Sequence, residues 1–74
     1  MFKYEASDEV VVFLINEKVH GSPDRRLAAD FILYCLRSFK SSEEIAACIN
    51  HLEEQVILDV AEDARRLASS LGLI

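Results

Sequence analysis

Apolar residues recur at three- and four-residue spacing along most of this chain, with polar residues between them. Ser7 offers a side-chain oxygen to free amides and is followed by Asp8 and Glu9, two carboxylates suited to the positive end of a helix dipole. From there Val11, Leu14, Ile15 and Val19 form one stripe, which predicts a first helix, with Gly21 ending it as a left-handed residue. The three consecutive valines Val10, Val11 and Val12 make a strand the competing reading, because branched side chains favour extended backbone. Ahead of this helix, Phe2, Tyr4 and Ala6 alternate with Lys3 and Glu5 across Met1–Ala6, as an extended arm or short strand would.

Ser22-Pro23-Asp24 reads as an N-cap, a first helical residue whose missing N–H costs nothing, and an acidic second residue. The second helix then carries Leu27, Ala28, Phe31, Ile32, Cys35, Leu36 and Phe39 toward a core and leaves Arg26, Asp30, Arg37 and Lys40 for water. Ser41 and Glu44 have the spacing of a capping box, so a third helix starts near Ser42. Its stripe is Ile45, Ile49, Leu52, Val56, Val60, Ala64, Leu67 and Leu71, with no Gly or Pro before Gly72. The fold class expected is all-α: one domain over 1–74 built of three helices, the C-terminal one long. Four short helices are the alternative, should the long one break near Asn50 and His51.

Helix length leads to an expectation about assembly. A compact chain of this size has a radius of gyration of roughly 11 Å and a diameter on the order of 30 Å. A straight helix of about 30 residues measures about 45 Å and would overhang that body by some four turns. The overhang is apolar, so the expectation is a homodimer in which Val56, Val60, Ala64, Leu67 and Leu71 pack on their own copies about a two-fold axis. A second subunit would also add stability that a short chain lacks.

Composition narrows the function classes. Hydrophobic residues make up 51% of the chain, with two Gly and one Pro, which is core material and not the make-up of a disordered tail. The net charge of −5, from 13 acidic and 8 basic residues, disfavours bulk nucleic-acid binding. Between Glu43 and Asp63 lie seven carboxylates and no Lys or Arg. The longest apolar run, Val10 to Ile15, is six residues, too short to span a membrane and wrongly flanked for a signal peptide, so the cytoplasm is the expected location. Cys35 and Cys48 each belong to an apolar stripe, which points to reduced thiols that neither bridge nor bind metal.

Chemistry-bearing constellations are sparse. Cys48 and His51 stand three apart on one helix, and His20 and Cys35 complete a nominal four-ligand set, but the paired spacing of a zinc knuckle is missing. With two glycines in the chain there is no phosphate loop, dinucleotide fingerprint or glycine-flanked serine, and no catalytic residue or cofactor is expected. What remains is a non-enzymatic acidic helical protein acting by protein–protein interaction: a regulator, adaptor, or inhibitor of the antitoxin or immunity type. Its acidic residues Glu53, Glu54, Asp59, Glu62 and Asp63 would face a basic partner, since acidic inhibitors gain rate and specificity against basic clefts. The alternative is a small dimeric DNA-binding transcriptional or nucleoid regulator, with Arg25, Arg26, Arg37 and Lys40 on a recognition helix.

Overall fold

The computed structural model describes residues 8–38, 40–55 and 57–74, in four α-helices: α1 (Asp8–His20), α2 (Pro23–Arg37), α3 (Ser42–Glu54) and α4 (Leu58–Ser70). The arm over Met1–Ala6, the Ser7 cap, Phe39 and Val56 lie outside the described residues. Val10, Val11 and Val12 are helical, so the strand reading does not hold. α1 gathers enough inward contact to override the β-propensity of its valines.

The polar signals between helices act largely as read. Ser22 caps α2, its hydroxyl accepting from the Arg25 amide at 3.4 Å, with Pro23 in the first turn. Ser41 and Glu44 close a full capping box: the Glu44 amide donates to Ser41 Oγ at 3.2 Å and the Ser41 amide donates to Glu44 Oε1 at 2.8 Å. Replacing Ser41 with alanine removes the first of these bonds, and a urea melt should show a loss of about 1 kcal/mol. An unchanged midpoint would mean that water serves the helix end equally well.

Gly21 is used differently from expectation. Gly72 is the glycine with positive φ among the described residues. At Gly21 a β-carbon would lie 2.6 Å from the Glu17 carbonyl oxygen and 3.1 Å from Arg25 Cβ. Glycine is therefore required there by crowding against the last turn of α1 and, more loosely, against Arg25 of α2, not by a left-handed backbone. Gly72, at φ 74°, ends α4 in a Schellman motif, with Leu73 N donating to Ala68 O at 2.8 Å and Gly72 N to Ser69 O at 3.1 Å. Leu73 is buried at the close.

The long C-terminal helix is a correction. α3 ends at Glu54, and the Ile57 amide turns back to the Leu52 carbonyl at 3.2 Å before α4 begins at Leu58. The break comes several residues after Asn50 and His51. No glycine or proline marks it; a polar run, Glu53-Glu54-Gln55, gives way to the β-branched pair Val56-Ile57, which gains less from helical backbone than straight-chain residues do.

With the helix folded back, the body measures 32 × 27 × 18 Å with a radius of gyration of 11.1 Å. α1 packs on α2, α2 on α4, and α4 on α3. The core joins Leu14 of α1, Ala28, Ala29, Ile32, Leu33, Cys35 and Leu36 of α2, Ile45 and Ile49 of α3, and Val60, Ala61, Ala64, Leu67 and Ala68 of α4. The overhang that motivated a homodimer is absent. Val60, Ala64 and Leu67 are buried inside the chain's own core, and Leu71 is half-buried against it.

Candidate functional site

The acidic stretch spans the end of α3 and the start of α4, and much of it is already paired. Arg65 of α4 reaches back to α3, donating to Asn50 Oδ1 at 3.0 Å and to the Glu53 carboxylate. Arg66 lies 3.2 Å from Glu62 and 3.9 Å from Asp63 on its own helix. Glu54 sits 3.7 Å from His51, whose Nε2 meets Gln55 at 3.0 Å. Asp59 is exposed in the first turn of α4, where its charge suits the helix dipole. The run of carboxylates in sequence thus concealed Arg65 and Arg66, which follow within three residues and fold onto it. Such exposed pairs add little stability, but they offset the negative field a basic partner would meet.

The basic residues of α2 stand at its two ends. Arg25 Nε lies 2.9 Å from Glu17 Oε1, an ion pair that falls short of hydrogen-bond geometry, and Arg26 Nε donates to the Gly21 carbonyl at 2.9 Å. Both are tied to the α1–α2 turn. Arg37 is exposed at the other end of α2, and Lys40 is half-buried after it. Lys18 pairs with Asp30 at 2.9 Å across the same two helices.

α1 departs most from its sequence reading. Its inward residues are Leu14, fully buried, with Val10 and Val11 packed partly against the core. Ile15 and Val19, assigned to that same stripe by spacing, face water at 45% and 56% exposure, and Val12 is 64% exposed. These three sit roughly 100° to 160° round the helix from Leu14, so they form a second apolar stripe on the outer side. Beside it an open concavity is lined by Asp8, Glu9, Val12, Phe13 and Asn16. Leu27 and Tyr34 of α2 are also exposed, although Leu27 had been placed on the inward stripe. An apolar surplus all round a helix was the available signal; spacing alone could not say which side was buried.

The two cysteines stand on α2 and α3, Cys35 within the core and Cys48 packed partly against it. Cys35 is buried and Cys48 half-buried, and both are free thiols. Burial pushes the Cys35 thiol up from the ordinary 9.0 to about 11, the neighbouring Cys48 adds to the rise, and Lys40 opposes it. His20 and His51 do not join them: His20 ends α1, and His51 points to Glu54 and Gln55. Among the described residues no group of three or more His, Cys, Asp or Glu is placed to hold a metal ion. None of the helices is long and apolar enough to cross a membrane.

No protein-family model, no curated protein and no solved structure matches the chain.

Proposed function

We propose that this is a non-enzymatic protein that works by binding another protein, and that the outer face of α1 is its docking surface. The observation that carries the reading is the stripe Val12, Ile15 and Val19, exposed on the side of α1 opposite Leu14. Scattered apolar residues on a surface are ordinary, but three in helical register on one exposed face match the geometry by which helices recognise one another. The partner is an amphipathic helix with an apolar face and flanking Lys or Arg. Its apolar side chains cover the stripe, and its cations meet Asp8 and Glu9, which border the concavity at the start of α1. The acidic residues that the sequence offers to a basic partner are less available than this face, since Glu53, Glu62 and Asp63 have arginine neighbours of their own.

Capture from the native host at equal loading tests the assignment with three proteins. The first is the wild-type chain, the second carries Val12→Ser, Ile15→Ser and Val19→Ser, and the third carries Glu54→Lys and Asp59→Lys. The expected result is one stoichiometric protein retained by the wild type and by the third protein but lost by the triple serine variant, whose helical circular dichroism stays unchanged. Retention by the serine variant and loss by the lysine variant would return the docking surface to the acidic stretch. A wild-type chain that retains nothing would overturn the interaction reading itself.

A further inference from the structure

The charges along α1 make its outer stripe complementary to itself. The first turn of the helix carries Asp8 and Glu9, and the last carries Lys18 and His20. Just past that last turn Arg26 lays its guanidinium on the helix end, Nε donating to the Gly21 carbonyl at 2.9 Å. At about 100° per residue, Asp8, Val12, Ile15 and Val19 fall within roughly 60° of one another on the outer side. We propose that in the free protein this face is covered by the same face of a second copy, the two α1 helices crossing antiparallel about a two-fold axis beside Ile15. The inference rests on the reading of α1 as the docking surface and adds its regulation: a partner helix must displace a copy of the chain in order to bind.

Spacing sets the register. A crossing centred on the stripe lays Val12 over Val19 of the second copy and Ile15 beside its own equivalent. At 1.5 Å per residue, Glu9 then lies about 10 Å from the axis on one side, and Gly21, with the Arg26 guanidinium on its carbonyl, about 8 Å away on the other. The two-fold therefore brings Glu9 of each copy to the Arg26 end of the other. A parallel crossing would instead set Asp8 and Glu9 against their own equivalents, like charge against like. Three apolar residues and their borders make a smaller contact than the roughly 800 Å² per partner of a standard complex. The net charge of −5 on each copy also opposes approach. The pair is accordingly weak, with a dissociation constant on the order of 100 μM, which leaves the face open to any partner that binds more tightly. The C-terminal stripe takes no part, since Val60, Ala64 and Leu67 are buried in the chain's own core.

Sedimentation equilibrium of the full chain from about 10 μM to about 1 mM tests the pairing. The average mass should climb from 8.4 kDa toward twice that value. Ile15→Glu places two carboxylates beside the axis at a position that is already 45% exposed, and it should weaken the dimer at least about tenfold with helical circular dichroism unchanged. Glu9→Lys and Arg26→Glu should each weaken it as well, and the chain carrying both should recover it, because the exchanged charges meet again across the two-fold. A wild-type chain that stays at 8.4 kDa up to about 1 mM, a dimer indifferent to Ile15→Glu, or a double variant no stronger than the single ones would each overturn the proposal. Capture of a partner by a chain that never pairs with itself would overturn the self-pairing and leave α1 as the docking surface, so the two readings fail separately.

Discussion

Leu67→Glu is expected to unfold the chain at any protein concentration. Leu67 has no exposed surface and lies in the core with Val60, Ala64 and Ala68 from the same helix. At typical stabilities per residue, a chain of this length is held by roughly 4–11 kcal/mol. Truncating a buried leucine to alanine already removes about 2–5 kcal/mol, and a carboxylate without a buried partner adds several more for lost hydration. The sum is comparable with all the stability the fold has. Far-ultraviolet circular dichroism should show the helical signal gone, and a one-dimensional proton spectrum should lose its shifted methyl resonances. Had Leu67 faced a second subunit across a long overhanging helix, the same change would leave a folded 8.4 kDa monomer. Finding that monomer would place Leu67 at an interface and refute its position inside one chain.

Leu14→Ala should be the next most damaging change, and its effect should be uneven along the chain. α1 packs chiefly on α2, and Leu14 is its one fully buried side chain among the described residues. Val10 and Val11 are only partly covered, and the flanking pairs Glu17–Arg25 and Lys18–Asp30 are too exposed to hold a helix alone. A loss of about 2–5 kcal/mol is expected in chemical denaturation. Hydrogen exchange should show where it falls: amides of α1 losing protection first, while those of α2 and α4 retain most of theirs. Uniform loss across all four helices would mean that α1 and the rest open as one unit.

Much of the architecture could be read before any coordinates. The serine caps at Ser22 and Ser41, the proline opening α2 and the glycine closing α4 are local chemical signals, and local signals survive into the fold. The break after Glu54 was not legible because its turn is closed by backbone, the Ile57 amide on the Leu52 carbonyl, with no special side chain to announce it. The face of α1 was misread for a related reason. Periodicity reports how many apolar residues a helix carries and at what spacing, but α1 has more than one burial stripe can use, and only its neighbour α2 decides which stripe goes inward. The acidic surface failed differently: charge counted along the chain cannot register that Arg65 folds back twelve residues to Glu53.

The packing order α1–α2–α4–α3 has a consequence for how the chain reaches this state. Two of its three principal contacts, α1 with α2 and α3 with α4, join helices that are neighbours in sequence across short turns, so each pair closes little chain and loses little entropy in doing so. Only α2 against α4 is distant. The search therefore reduces to one encounter between two helical hairpins that form independently, a topology of low contact order that belongs with the rapid folders. Speed then has a cost in exposure: until that encounter, Ile32 and Leu36 on one hairpin and Val60 and Leu67 on the other stand open to water and to other chains.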